Sequence, residues 1–163
     1  MHERKLTPEY IVGLVDGEGS FSVFIGKAEK SVSRKRRVRA EPRFCIKLAE
    51  DDKEILHLVK DFFGCGKVYV QKDARKNHRQ CYRYEVFNRS ELRDIIIPFF
   101  RNNPPKFPSK RRDFSVFSEI MERMDKGEHL TDEGLAFLRR LKERMHASSP
   151  YAGNPHVRWE RHC

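Results

Sequence analysis

The chain has 163 residues, a length that suits one domain with an apolar core. Charged side chains make up 36% of it and hydrophobic ones 38%, and no apolar run approaches a bilayer span, so a membrane-spanning helical protein is excluded from expectation. Lys plus Arg number 34 against 24 Asp plus Glu, and the resulting charge of +10 points to a polyanionic partner.

Thr7-Pro8-Glu9 predicts a helix start, with Thr as N-cap, Pro at the first position and Glu in the first turn. The helix continues through Tyr10, Ile11, Leu14 and Val15. Gly13 and Gly17 share one face and are costly in a helix unless another backbone approaches closely there. Gly19 is expected as the C-terminal cap. The helix finishes on Asp16 and Glu18, at a pole where carbonyls already place about half a negative charge. That breach of local preference marks a candidate site, because a divalent cation would reverse its sign.

Residues 21–27 alternate as a strand, with Phe21, Val23 and Ile25 on one side and Ser22, Phe24 and Gly26 on the other. Residues 28–36 read as a basic hairpin loop, and 37–48 alternate again, with Pro42 arguing for an edge or a bulge. Asp51-Asp52 start a second helix with Ile55, Leu56, Leu58, Val59, Phe62 and Phe63 as its apolar stripe, ended by Gly64-Cys65-Gly66. Residues 67–73 and 80–87 are further strands around a basic loop, 74–79. Ser90 is expected to cap a short helix that stops or kinks at Pro98. A loop, 102–108, leads to a helix from Ser109 or Lys110 to about Asp125, with Phe114, Phe117, Ile120, Met121 and Met124 inward. Thr131-Asp132-Glu133 caps a last helix to about His146. Residues 1–149 are expected to form one domain and 150–163 a C-terminal tail, where His156, His162 and Cys163 read as solvated rather than metal-binding.

Helices on one face of four strands leave the other face bare. That face is expected to carry Ser22, Phe24, Arg37, Arg39, Glu41, Arg43, Lys47, Lys67, Tyr69, Gln71, Asp73, Cys81, Arg83 and Glu85. The loops add Lys27, Lys30, Arg34, Lys35 and Arg36, then Lys72, Arg75, Lys76 and Arg79. A two-stranded ribbon fits the major groove of double-stranded DNA, where Arg, Gln and Glu read base edges and loop cations meet phosphates. Cys45, Cys65, Cys81 and Cys163 lack CxxC spacing and the N-terminus lacks a secretory segment. Free thiols in a reducing intracellular compartment are therefore expected, in cytoplasm, nucleoid or organelle matrix without distinction.

The stretch Ile11-Val12-Gly13-Leu14-Val15-Asp16-Gly17-Glu18-Gly19 resembles the LAGLIDADG homing-endonuclease motif position by position. The element order resembles that family's αββαββα fold with trailing helices, and FFGCGKVYV and FPSKRRDF resemble its later landmarks, over about residues 7–146. The resemblance implies an α+β fold with a saddle-shaped antiparallel sheet. A single motif copy implies a homodimer in which Val12, Gly13, Asp16 and Gly17 face the partner helix. It implies Mg²⁺ held by Glu18 with Gly17, above the minor groove, and one strand of a long, roughly palindromic site cut per subunit to leave short 3′ overhangs. Asp16 is assigned to helix packing or capping rather than to metal.

Glu18 stands where the family usually has Asp, and Leu48 where some single-motif members carry a Gln that places the hydrolytic water. Lys47, Glu50 or DNA-held water would take over that role, or it is absent. A late basic residue is implied near the scissile phosphate. Lys110 is the candidate, with Lys106 and Arg111 in competition, and phosphate contact without catalysis is the equal alternative. The same fold also serves intron maturases, for which RNA becomes the partner, and DNA-binding proteins that have lost cleavage.

Overall fold

The computed structural model describes residues 5–26, 40–72 and 79–146. Helix α1 (Pro8–Glu18) runs into β1 (Gly19–Ile25); β2 (Ala40–Ala49) follows and passes through a 3₁₀ turn (Glu50–Asp52) into α2 (Lys53–Phe63). Then come β3 (Lys67–Gln71), β4 (Cys81–Val86), α3 (Arg89–Glu91), a π turn (Leu92–Ile96), α4 (Ile97–Asn102), α5 (Pro108–Asp125), a second 3₁₀ turn (Glu128–Leu130) and α6 (Asp132–Lys142). The strands form one antiparallel sheet in the order β1-β2-β4-β3. No helix among the described residues is long and apolar enough to cross a membrane.

Local chemistry explains most boundaries. Thr7 accepts a hydrogen bond from the Tyr10 amide and Pro8 opens the helix. Gly64 closes α2 at φ 66°, in the left-handed region that favours glycine. Gly19 is the C-terminal cap, as expected, and its amide donates to the Val15 carbonyl, though at a φ of −84° rather than in the left-handed region. A methyl group there would lie 2.7 Å from Val15 Cα, so glycine is required for space. Asn88, rather than Ser90, caps α3 by accepting from the amides of Ser90 and Glu91. The helical path also continues past Pro98, because the π turn just before α4 widens the coil where proline would otherwise clash.

Pairing of Phe21 with Phe44, Phe44 with Val86 and Ile46 with Tyr84 fixes the inner face of the sheet. Phe21 is its centre, fully buried, with ring centroids 5.1 Å from Phe44, 5.3 Å from Phe100, 5.2 Å from Phe114 and 5.5 Å from Phe117. Helices α2, α4 and α5 contribute Leu56, Val59, Phe63, Phe100, Phe117, Ile120 and Met121 to the same core. Pro42 pairs only with Val23, because β4 first meets β2 at Phe44. The expected edge position thus exists locally within a central strand.

Candidate functional site

Two faces of α1 diverge. Ile11, Val12, Val15 and Asp16 are buried, whereas Tyr10, Gly13, Gly17 and Glu18 are exposed. Val12 and Asp16, expected with the glycines at the partner helix, are buried within the single chain, Asp16 against the loop before α5. A methyl group on Gly13 or Gly17 would meet nothing within 4 Å in the single chain.

The buried carboxylate of Asp16 accepts backbone hydrogen bonds from the Lys106 amide at 3.1 and 3.0 Å and from the Phe107 amide at 3.1 Å. These amides stand directly ahead of α5. Within the first turn of that helix, Lys110 donates from Nζ to the Gly19 carbonyl, at the C-terminal pole of α1. Burial lowers the Lys110 pKa from its ordinary value, opposed by the carboxylates of Asp113, Asp16 and Glu18. A lysine from α5 thus accompanies the acidic end of α1. The side chains of Lys106 and Arg111 are exposed, and the Arg111 guanidinium donates to the Pro105 carbonyl.

Glu18 presents an exposed carboxylate beside the Gly17 carbonyl, oxygen donors of the type that suits Mg²⁺. These supply part of a coordination shell. No group of three or more His, Cys, Asp or Glu side chains able to hold a metal ion occurs among the described residues. Water, a phosphate or a second copy would have to complete it. Leu48 belongs to the inner face, opposite Tyr82 and against the core. Lys47 faces the other way, and Glu50 lies 3.9 Å from Lys53.

On the outer face the expected parity holds for Ser22, Phe24, Glu41, Arg43, Lys47, Lys67, Tyr69, Gln71, Cys81, Arg83 and Glu85. Phe24 is 58% exposed there. The face is not of one sign. Arg43 bridges Glu85 at 3.1 Å and Glu41 at 3.2 Å, and the Tyr69 hydroxyl donates to Glu85 at 2.7 Å. Glu85 and Arg83 are buried because their long neighbours cover them. Burial opposes the charge on Arg43, but Glu85 and Glu41 outweigh it and raise its pKa. Burial, aided by Glu85, also raises the Tyr69 pKa. Glu85 is therefore not the open acceptor expected for a base edge. Cys65 and Cys81 are free thiols, Cys45 is buried on this face, and Cys163 lies outside the described residues. Arg79 is exposed and lies 3.5 Å from Asp51.

Lys27, Lys30, Arg34, Lys35, Arg36, Arg37, Arg39, Asp73, Arg75 and Lys76, together with the expected tail, lie outside the described residues. Sequence reasoning missed the buried Asp113, which accepts from the His146 amide at 2.9 Å and pairs with its ring Nδ1 at 3.0 Å. It also missed Arg139, which donates to the Gly26 carbonyl at 2.9 Å. A hydrophobic pattern carries no signal for either long-range pair.

The motif at the end of α1, the strand order and the lysine on α5 agree with a sequence profile described as LAGLIDADG endonuclease, which matches residues 11–121. The chain belongs to the LAGLIDADG endonuclease family. A homing endonuclease of Aeropyrum pernix, I-ApeII, is 33% identical over 69% of this chain and 60% of its own length. "Probable intron-encoded DNA endonuclease 1" of Mycosarcoma maydis is 34% identical over 66% of this chain and 34% of its own length. "Probable intron-encoded endonuclease 3" of Neurospora crassa is 28% identical over 86% of this chain. The chain spans about a quarter to a third of the length of these fungal relatives. Among solved structures, the homing endonuclease I-TnaI superposes with a TM-score of 0.73 at 34% identity, covering 90% of this chain and 92% of that one. I-SmaMI bound to cleaved DNA gives 0.75 at 31% identity, covering 90% of this chain but 47% of that one.

Proposed function

We propose that this chain is the subunit of an intron-encoded homing endonuclease that acts on double-stranded DNA as a homodimer. The observation that carries the proposal is the pole of α1: an exposed Glu18, an open Gly13/Gly17 stripe beside it, and Lys110 brought in from α5. The match to under half of I-SmaMI but nearly all of I-TnaI supports a unit that a second copy completes.

In this reading the glycines let two α1 helices approach backbone to backbone, which sets their Glu18 carboxylates close together across the minor groove. Glu18 and the Gly17 carbonyl hold Mg²⁺. When bound, the metal activates water and offsets charge on the leaving oxygen. Lys110 supplies a cation to the scissile phosphate, and each subunit cuts one strand of a long pseudo-palindromic site to leave short 3′ overhangs. Arg43, Lys47, Lys67 and Gln71 hold the duplex through the outer face of the sheet, where the buried Arg83 lies beneath them, and exposed cations such as Arg79 and Arg111 meet phosphates.

The test is incubation with Mg²⁺ and a duplex spanning the uninterrupted insertion site. Wild type is expected to cleave both strands. Glu18→Gln is expected to bind that duplex within about twofold of wild type and to lose cleavage by roughly a thousandfold or more, as removal of the charged ligand of an essential metal requires. Cleavage that survives the substitution would defeat the assignment.

A further inference from the structure

We propose that Asp16 is a positioning residue for Lys110, tying the loop before α5 to the end of α1 so that the ammonium stays at the Gly19 carbonyl. The inference rests on the reading of Lys110 given above. Three observations join in it. The Asp16 carboxylate is buried, and both its oxygens are occupied by the amides of Lys106 and Phe107. Phe107 is the residue from which α5 starts, so those bonds set the height and direction of its first turn. Lys110 lies within that turn, and its ammonium is turned back onto the backbone three residues beyond Asp16.

A carboxylate that accepts from two amides, one of them shared between both its oxygens, resists displacement more than one neutral contact does, because hydrogen bonds to an ionised acceptor are roughly twice as strong. Phe107 carries no side-chain cap of its own on α5, so Asp16 is the polar group that occupies this helix start from outside. The groups that face Lys110 are Asp113 on its own helix and Asp16 and Glu18 on α1. Only Asp16 is also bonded to the backbone that carries the lysine. Misplacement by about 1 Å can cost roughly a hundredfold in rate, so a small slide of α5 is sufficient to matter.

Asp16→Ala, Asp16→Asn, Lys110→Ala and the double variant Asp16→Ala/Lys110→Ala are compared in single-turnover cleavage with Mg²⁺. Duplex affinity is measured without metal, and acylation of the Lys110 amine in the full chain is followed by mass spectrometry. Asp16→Ala should bind within about threefold of wild type, cleave about ten- to a hundredfold more slowly, and acylate faster at Lys110. Asp16→Asn, which keeps one acceptor oxygen, should fall between. The double variant should cleave no more slowly than Lys110→Ala, since coupled residues do not add. An unchanged rate in Asp16→Ala, an equal loss in both backgrounds, or unchanged acylation at Lys110 would overturn the proposal. A Lys110→Ala variant that cleaves like wild type would instead defeat the catalytic role of Lys110, and acylation in Asp16→Ala then decides the positional claim alone. Should Asp16→Ala fail to unfold cooperatively, Asp16→Asn carries the same comparisons.

Discussion

The inner and outer faces of the sheet are made by alternate residues of the same strands, yet they obey different rules. Inward, Phe21, Phe44, Ile46 and Val86 need only be apolar and of suitable volume, since burial is non-directional. Outward, Arg43, Tyr69 and Glu85 come from separate strands and matter through one another. Loss of an inner residue leaves a cavity. Loss of an outer one leaves a partner without its bond, which costs less in stability and shows more in binding.

Phe21→Ala should break the inner face most severely. It vacates the centre of four ring contacts and should cost about 3–5 kcal/mol, read from the denaturant midpoint. A cost below about 1 kcal/mol would mean that the two faces do not differ as described. Buried polar groups should rank next. Asp113→Asn weakens the bonds to His146 and should cost about 1–3 kcal/mol at neutral pH. Burial pushes the Asp113 pKa up, but the bonds from His146 outweigh it and hold the value below the ordinary one. The stabilisation is therefore complete above the ordinary carboxylate range near pH 4 and disappears as pH falls through the lowered native value. Acid titration of wild type and Asp113→Asn by circular dichroism should show their stabilities converging on the acid side. Parallel curves would contradict this sign. Tyr69→Phe should have the smallest effect, about 0.5–1.5 kcal/mol, because it removes one hydroxyl bond to Glu85 and keeps the ring. Its duplex affinity, measured by fluorescence anisotropy, should change more than its denaturant midpoint does. The reverse order would assign Tyr69 to structure alone.

Much of the fold was legible because its signals are local or periodic. The Thr7-Pro8 start, the α2 stripe and the inward parity of Phe21 and Phe44 follow from spacing and caps. Of the two expectations at Pro98, a stop is not found, and the π turn that carries the helix past it is not encoded in apolar spacing. Glu18 and Lys110 were named from the motif and its later landmark, and the fold brings Lys110 to the end of α1. The partners of Asp16 were not legible, because its bonds reach backbone amides some 90 residues away, which any sequence could supply. Val12 and Asp16 were expected with the glycines at the partner helix, yet both are buried within the single chain, since successive helical residues point about 100° apart. On the outer sheet face, parity located Glu85 correctly, but the bonds from Arg43 and Tyr69 needed strand register as well as charge.

The central claim is that the open glycine stripe of α1 meets its own copy. Sedimentation equilibrium of wild type and Gly17→Leu, each alone and on the target duplex, tests it most directly. Because Gly17 is exposed and a Cβ there meets nothing within 4 Å in the single chain, the variant should fold as wild type does and yet remain one chain per particle, while wild type assembles as two. Wild type that cleaves both strands as a single chain, or Gly17→Leu that still pairs and cleaves, would contradict the account.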